Sequence, residues 1–256
     1  PQTISSSPVT LYSGASLPSG ISNLAYRSST DDFYFFKTGG DLEHSNSSYV
    51  FSTILTTTGV YSLVTTMNQT NGDLYYSSNV TASIGASNSI LKRTSGGTIS
   101  TITTGNPAVQ SMALASNGDL YFAPNYYNPG IRVIPSGSST PNIFYSASTE
   151  TYSSLTFSAA GDLYAADGAN IYKFTSAGVR TIVATGLQAS KIAFSPTGQL
   201  FAAGGNKLYK VNENTGVFSI YVIGVGSPSD IGFNSTGDIV LINASTGELI
   251  SVQDIS

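Results

Sequence analysis

A chain of 256 residues without a single cysteine is long enough for one all-β domain, but it excludes disulfides, thiolate chemistry and cysteine-ligated metal sites. With 10 Lys and Arg residues against 14 Asp and Glu, the formal net charge is −4, and no basic stripe is present for nucleic acid or for an anionic membrane surface. No apolar run approaches the roughly 20 residues that a membrane helix needs, so no membrane insertion is expected.

Only 9% of the residues are charged, whereas Ser and Thr are abundant. A surface solvated mainly by hydroxyls and amides is typical of secreted and cell-surface proteins, so we expect an extracellular or cell-surface location. The sequence begins at Pro1-Gln2-Thr3, with no initiator methionine and no signal-peptide pattern. We therefore expect either a processed, exported chain, which we favour, or an excised segment.

One pattern recurs along the chain: a strand of alternating apolar residues, a tight turn, and then Asp-Leu-Tyr or a close variant. In chain order the copies are loose at 24–34 and 63–75 and clear at 112–121, 155–164, 192–201 and 231–240. Their anchor residues are about 40 residues apart, the length of a four-stranded β-propeller blade. We expect the anchor side chains to bond to turn amides, which is a structural role. The anchors are Asp32, Asp73, Asp119, Asp162, Gln199 and Asp238.

The six copies predict an all-β fold, a single six-bladed β-propeller of four-stranded antiparallel blades over residues 1–256. No stretch shows a sustained 3.6-residue apolar period, so we expect almost no helix. The sixth copy ends after its third strand, and segment 8–13 has the pattern of the missing fourth strand. We therefore expect the N-terminal strand to complete the last blade, which would hide both edges. The predicted blades are 22–56, 61–104, 110–146, 153–184, 190–222, and 229–252 together with 8–13.

The segment from Gly161 to Phe174 reads Gly-Asp-Leu-Tyr-Ala-Ala-Asp-Gly-Ala-Asn-Ile-Tyr-Lys-Phe and resembles the repeat of NHL-type propellers; 198–211 is a weaker copy. Related six-bladed propellers include the gluconolactonase and regucalcin group, NHL-repeat scaffolds and adhesive extracellular domains. The resemblance implies the fold much more strongly than it implies a function.

The resemblance to gluconolactonases implies a divalent metal, Ca²⁺ or another, held in the central channel by a Glu, one or two Asn and an Asp from the inner-strand entrances. One carboxylate facing a lysine and three serines is a poor site for a hard cation, so we predict no metal and no cofactor. Glu150 is one loop away and supplies a second carboxylate if a metal does bind. We expect Lys191 and Asp230 to form a structural ion pair at the channel mouth. The residues at the entrances are Asn23, Ser62, Ser111, Ser154, Lys191 and Asp230.

His44 is the only histidine, and the repeat places it on the third strand of the first blade, away from the axis. A His-dependent triad needs its base in a pocket beside a nucleophile, so we expect His44 to be a surface residue. The sequence contains no phosphate-binding glycine loop and no Gly-x-Ser-x-Gly elbow. No catalytic residue is therefore predicted.

Two long connections, 77–89 and 123–130, join second to third strands on the face of the channel entrance. Loops on a rigid scaffold often hold binding sites. In the second loop, Tyr126 and Tyr127 are flanked by Asn125 and Asn128, and this group predicts a stacking platform with amide donors for a sugar or a peptide. Alternatively, one tyrosine folds back onto its blade.

Five Asn-x-Ser/Thr sequons are candidate glycosylation sites. The high Ser and Thr content produces such sequons by chance, so they predict glycosylation only in a host that glycosylates. The candidates are Asn46, Asn68, Asn79, Asn234 and Asn243.

The leading hypothesis from the sequence is a non-enzymatic extracellular propeller that acts as a recognition or assembly module through its loop-rich face. Its expected partners are a protein or carbohydrate ligand or copies of itself. If the strand 9–12 docks into the sixth blade of a neighbouring molecule, the subunits form a filament or a surface layer by strand exchange. The alternative is a metal-dependent lactonase or lyase of the gluconolactonase type, which a metal near Glu150 and Asp230 would favour.

Overall fold

The computed structural model describes residues 7–12, 23–37, 40–46, 50–56, 64–78, 88–125 and 128–253. In this part of the chain every regular element is a β-strand, because the apolar residues alternate with period two and turns interrupt the pattern every few residues. No helix that could cross a membrane occurs among these residues.

The described strands form six four-stranded antiparallel sheets, which we number as blades in chain order. The first strand of the chain is β1 (Val9–Tyr12). Blade 1 is β2 (Leu24–Arg27), β3 (Asp32–Phe36), β4 (Leu42–Ser45) and β5 (Ser52–Leu55). Blade 2 is β6 (Thr65–Met67), β7 (Leu74–Ser78), β8 (Asn88–Arg93) and β9 (Ile99–Asn106). Blade 3 is β10 (Val109–Leu114), β11 (Leu120–Pro124), β12 (Gly130–Ile134) and β13 (Asn142–Ser146).

The remaining blades follow the same plan. Blade 4 is β14 (Ser154–Phe157), β15 (Leu163–Ala166), β16 (Gly168–Phe174) and β17 (Arg180–Ala189). Blade 5 is β18 (Lys191–Phe194), β19 (Leu200–Gly204), β20 (Lys207–Val211) and β21 (Phe218–Ile223). Blade 6 is β22 (Pro228–Phe233), β23 (Ile239–Asn243) and β24 (Glu248–Val252), with β1 paired antiparallel to β24 as its outer strand. The prediction of six four-stranded antiparallel blades is confirmed.

The core is divided between the blades. Six clusters of buried apolar side chains lie one at each junction between neighbouring blades, including the junction between blades 6 and 1. Phe174 and Phe201, for example, are fully buried. Burying an aromatic or large aliphatic side chain stabilises the fold by about 1.5–3 kcal/mol, so each junction contributes strongly to closing the ring.

The recurring Gly-Asp turns hold the first two strands of a blade together. In blade 4, Gly161 has a φ of 86° and its amide donates to Ser158 O at 2.9 Å. A positive φ is what glycine adopts without strain. Two anchor aspartates also reach a second turn, and Asp119 accepts a hydrogen bond from Ser136 N at 2.7 Å. Asp73 accepts one likewise from Ser95 N at 3.3 Å, so these two anchors bond to turn amides as expected. Gln199 differs, because its Nε2 donates to Val211 O at 2.7 Å.

Candidate functional site

The central channel is built from the first strand of each blade. The inner strands β2, β6, β10, β14, β18 and β22 contact one another in sequence around the axis. Each of them pairs with a partner strand on one side only, so its other edge faces the channel. Their backbone and side chains enclose a cavity of about 500 Å³. This cavity has the size of a small-molecule site.

The channel-mouth residues expected from the register all line this cavity where the structure describes them. Among the side chains that line it, Lys191 and Asp230 are the charged ones. Ser62, expected at the entrance of blade 2, is outside the described residues. The residues at this end are Asn23, Ser111, Ser154, Lys191 and Asp230.

Serine hydroxyls join neighbouring inner strands at this mouth. Ser154 Oγ accepts a hydrogen bond from Ile192 N of the next blade at 3.1 Å. Ser111 Oγ donates to Tyr152 O at 2.9 Å, which links blades 3 and 4. Both serines are buried. Their first role is therefore structural, because each satisfies a backbone group at a blade junction.

At the junction between blades 6 and 1, the Asp230 carboxylate takes the place of the serine hydroxyl. Its Oδ2 accepts a hydrogen bond from Leu24 N, and its Oδ1 accepts one from Ile231 N, both at 2.9 Å. Asp230 lies inside the ring and is still half-exposed, because it faces the cavity. Each oxygen keeps a second lone pair for a ligand or a water molecule. The carboxylate is therefore oriented by the protein and open to the channel.

Burial raises the pKa of the Asp230 carboxyl above its ordinary value, and the Lys191 ammonium and the two amide donors offset only part of that effect. We expected a direct ion pair between Lys191 and Asp230. Among the described residues no such pair is formed, and the two groups interact across the cavity wall while backbone amides hold Asp230. This leaves the carboxylate without a cation in direct contact, so burial dominates its titration.

The raised pKa of Asp230 predicts a pH-dependent stability. A carboxyl whose pKa is higher in the folded than in the unfolded state contributes stability that is complete below about pH 4 and is lost as the pH rises through the folded pKa. We expect the free energy of unfolding of the wild type, relative to Asp230→Asn, to fall with rising pH by about 1.4 kcal/mol for each unit of the shift. Urea denaturation at a series of pH values measures this difference.

Asp162→Asn is the matched control, because Asp162 pairs with Lys173 on the surface at 2.7 Å. The free energy of unfolding of the wild type, relative to Asp162→Asn, is not expected to fall in this way as the pH rises. If the difference in free energy of unfolding between the wild type and Asp230→Asn were the same at every pH, the raised pKa of Asp230 would be contradicted.

Glu150 is not part of the channel mouth. It does not line the cavity, and its Oε1 accepts a hydrogen bond from Arg180 Nη1 on β17 at 3.2 Å. The Arg180 guanidinium also lies over the rings of Tyr172 and Tyr145, at 4.7 Å and 5.2 Å from their centroids. The backbone amide of Glu150 and the Arg180 side chain hold the pKa of Glu150 below its ordinary range. The carboxylate pair with Asp230 is therefore not formed.

The donor set at the mouth does not fit a divalent cation. Asp230 is the one carboxylate among the described residues that line it, and the Lys191 ammonium is near enough to lower the pKa of that carboxylate. No group of three or more His, Cys, Asp or Glu side chains suited to a metal ion occurs among the described residues. Hard cations require several anionic or carbonyl oxygens, and a neighbouring ammonium opposes their binding.

The predicted stacking platform is described only in part. Tyr126 and Tyr127 are outside the described residues. Asn128 N donates to Asn125 O at 3.0 Å. Because Pro124 pairs with Val109 at the start of β10, this loop is on the same face as the channel mouth. The platform itself stays a prediction.

His44 is more enclosed than expected. Its ring is half-buried, its Nε2 lies 3.0 Å from Asp32 Oδ1, and it packs against Tyr34 with 4.6 Å between ring centroids. It is on β4, the third strand of blade 1, and does not line the channel cavity. His44 is thus a partner of a turn aspartate and not a free surface residue.

The described sequons differ in accessibility. Asn46 is exposed, and Asn68 and Asn234 are half-buried. Asn243 is only 6% exposed, and its Oδ1 accepts a hydrogen bond from Ser227 N at 3.1 Å. A glycan on Asn243 would need this amide to leave its place in the fold. Asn79 is outside the described residues.

Sequence reasoning missed two features of the channel. The amides of Leu24 and Ile231 orient Asp230, and backbone groups leave no mark in a sequence. The buried Thr65 Oγ1 lines the channel and has no hydrogen-bond partner among the described residues. It belongs to one of the loose copies of the repeat, where the register was hardest to assign. Its hydroxyl is available to a bound molecule or to water.

No protein-family model matches the chain, and no curated protein matches it. Solved structures do match the fold. A gluconolactonase from Xanthomonas campestris is 14% identical, with 96% of this chain and 89% of that chain covered and a TM-score of 0.75. Virginiamycin B lyase from Staphylococcus aureus is 15% identical, with 98% and 100% covered and a TM-score of 0.71. A luciferin-regenerating enzyme is 11% identical, with 98% and 96% covered and a TM-score of 0.72.

These similarities agree with the gluconolactonase-like architecture expected from the sequence. None of the three structures is named as an NHL-repeat protein, so the NHL-type repeat stays a prediction from the segment 161–174. At such low identities a similarity shows the fold and no activity. The chain therefore shares the six-bladed β-propeller fold of structures that include a gluconolactonase, a lyase and a luciferin-regenerating enzyme.

Proposed function

We propose that the protein is an enzyme that hydrolyses a small lactone or ester at the channel mouth, with Asp230 as the general base and Lys191 as the group that stabilises negative charge on the carbonyl oxygen. The observation behind this proposal is the state of Asp230. It is a carboxylate that lines the channel cavity, oriented by two amides, with a pKa raised by burial. Such environments tune carboxyl groups for proton transfer near neutral pH.

The proposed reaction uses groups that the channel presents together. Asp230 removes a proton from a water molecule as the water oxygen attacks the carbonyl carbon. The Lys191 ammonium, which also lines the cavity, stabilises the oxyanion that develops. The proton on Asp230 then passes to the alkoxide oxygen as the bond between carbon and that oxygen breaks. The products are the hydroxy acid of a lactone, or the acid and alcohol of an ester.

The similar solved structures support an enzyme more than the non-enzymatic module favoured by the sequence. The three compared structures are named as a lactonase, a lyase and a luciferin-regenerating enzyme. The loop platform that supported the recognition module is only partly described. An extracellular location and a glycosylated surface continue to rest on composition alone.

The proposal differs from the metal-dependent alternative in its chemistry. With Glu150 held by Arg180, one carboxylate and one ammonium face the channel. An acid–base and electrostatic mechanism uses both charges, whereas a cation site would use one and be opposed by the other. We therefore expect activity that does not require an added divalent metal.

The test measures the hydrolysis of three probes: D-glucono-1,5-lactone, a simple γ-lactone and an aryl ester. The rate is recorded as proton release, with and without a chelator. We expect Asp230→Asn and Lys191→Met each to lower kcat/KM by about 100-fold or more, because a general base and an oxyanion donor each supply rate factors of that size. The chelator is expected to leave the wild-type rate unchanged.

Asp162→Asn serves as the control, since it removes a carboxylate that pairs with Lys173 and does not line the cavity. Its rate should equal that of the wild type. The proposal fails if the wild type hydrolyses none of the three probes, or if Asp162→Asn and Asp230→Asn lower the rate equally. Loss of activity with the chelator, restored by Ca²⁺, would instead support the metal-dependent alternative.

A further inference from the structure

The wall of the central channel changes character with depth. Each inner strand pairs with the second strand of its blade in an equivalent register, so residues at equivalent positions lie at equivalent depths along the axis. At the mouth are Lys191 and Asp230, the charged residues among the described ones that line the cavity. Each further residue along a strand is about 3.3 Å deeper. Charge is therefore confined to one end of the described channel wall.

The second level, one residue below the mouth, is apolar in five of the six blades. Its residues all line the cavity, and all of them are buried. The exception to the apolar character is Thr65 in blade 2. The residues of this level are Leu24, Thr65, Met112, Leu155, Ile192 and Ile231.

The fourth level is a ring of large apolar side chains from five blades. Phe157 and Phe194 are only half-buried, and both line the cavity. Between the second and fourth levels, the third contributes Ala25, Ala193 and Gly232 together with two threonines. The residues of the fourth level are Tyr26, Met67, Phe157, Phe194 and Phe233.

Polar groups below the mouth are few, and several are already bonded within the protein. From the second to the fourth level, the described wall contributes three threonine hydroxyls and the hydroxyl of Tyr26, which donates to Asp31. In the turns at the far end, Ser195 Oγ accepts a hydrogen bond from Gln199 N at 3.0 Å, and Gln69 Nε2 donates to Tyr26 O at 2.6 Å. A molecule that extends below the mouth therefore meets a largely apolar wall.

We propose that the substrate of the hydrolysis is a lactone or ester with an alkyl substituent, whose carbonyl group binds at the mouth beside Asp230 and Lys191 while the substituent extends down the axis to the fourth level. This assignment rests on the proposed function. The charged mouth and the apolar levels belong to one continuous cavity of about 500 Å³, so they fit the two ends of one amphipathic molecule. A polyhydroxylated lactone fits less well, because its hydroxyl groups would lose water without gaining enough partners.

The test compares γ-butyrolactone with γ-octalactone, which has the same ring and a butyl substituent. Each buried methylene group strengthens binding by up to about 4-fold, so we expect kcat/KM of the wild type to be at least about 10-fold higher for γ-octalactone. The gain is expected in KM and not in kcat, because the alkyl group is buried equally in the bound substrate and in the transition state. D-glucono-1,5-lactone is expected to react with a lower kcat/KM than γ-octalactone.

Phe194→Asn is matched by Phe218→Asn. Both phenylalanines are half-buried and pack against the same apolar cluster between blades 4 and 5, but Phe194 lines the cavity and Phe218 does not. We expect Phe194→Asn to reduce the preference for γ-octalactone by at least about 5-fold, because an amide replaces apolar surface along the alkyl chain. Phe218→Asn should keep the wild-type preference. Circular dichroism confirms that each variant is folded.

Binding separates this proposal from the hydrolysis itself. Titration of both lactones into Asp230→Asn, followed by NMR, should give a Kd at least about 10-fold lower for γ-octalactone. Such a binding preference in a protein that hydrolyses neither lactone would overturn the hydrolysis and support the alkyl site. Equal values of kcat/KM for the two lactones would overturn the alkyl site and leave the hydrolysis standing. Equal Kd values, or an equal loss of preference in Phe194→Asn and Phe218→Asn, would also overturn the alkyl site.

Discussion

Replacing Gly204 with alanine is expected to lower the free energy of unfolding by at least about 3 kcal/mol. Gly204 ends β19, and a Cβ there would lie 1.5 Å from Gln188 O and 2.6 Å from Gln188 C. The obstructing atoms are backbone, in the segment that leads from blade 4 to the inner strand of blade 5. They cannot move without disturbing Lys191 and the channel wall. Urea denaturation monitored by circular dichroism measures the loss.

Two glycines separate steric overlap from other effects of adding a methyl group. Gly96 has no positive φ, and its added Cβ would meet Thr94 Oγ1 at 3.9 Å, so Gly96→Ala should change stability by no more than about 0.5 kcal/mol. Gly161 has a φ of 86° with open space around it, so Gly161→Ala should cost about 1–2 kcal/mol from backbone strain alone. Equal losses for Gly204→Ala and Gly96→Ala would contradict the close approach of blades 4 and 5.

Replacing Tyr152 with alanine is expected to lower the free energy of unfolding by about 3–5 kcal/mol, the usual loss for a large buried aromatic side chain. Tyr152 is fully buried between blades 3 and 4, and its ring meets Tyr172 and Phe174 edge-on, at 5.8 Å and 5.9 Å between centroids. Its hydroxyl accepts a hydrogen bond from Arg180 at 3.1 Å. The substitution leaves a cavity and removes one partner of a half-buried cation.

Tyr152→Phe isolates the contribution of the hydroxyl. The ring stays, Arg180 keeps Glu150 and its two aromatic neighbours, and the expected loss is about 1–2 kcal/mol. Thermal and urea unfolding of the two variants, measured side by side, give the comparison. If the phenylalanine and alanine variants were equally unstable, ring packing would not be the main contribution of Tyr152.

The axis and the perimeter offer different chemistry. The channel combines a carboxylate, an ammonium and several hydroxyls in an enclosed space, which is suited to acting on a small polar molecule. The rim carries the exposed aliphatic side chains of the described residues, on or beside the outer strands.

Part of the candidate site was readable from the strand register. The residues before each apolar pair of an inner strand occupy equivalent positions in the repeat, and Asn23, Lys191 and Asp230 at these positions line one cavity. The partner of Glu150 was not readable. Arg180 is 30 residues away on an outer strand, and only the packing of Tyr145 and Tyr172 around it brings the guanidinium to Glu150.

The sequence by itself determined the number of blades and the order of their strands, since alternation, turn glycines and anchor residues act over a few neighbouring positions. Tertiary structure alone decided which charges face one another. The amides that hold Asp230 come partly from Leu24, 206 residues away along the chain, and the burial that raises its pKa exists only once the ring is closed. The same closure brings Gly178 and Gly216 against the backbone of neighbouring blades. Electrostatics and contact surfaces depend on distances in space, which local sequence patterns do not specify.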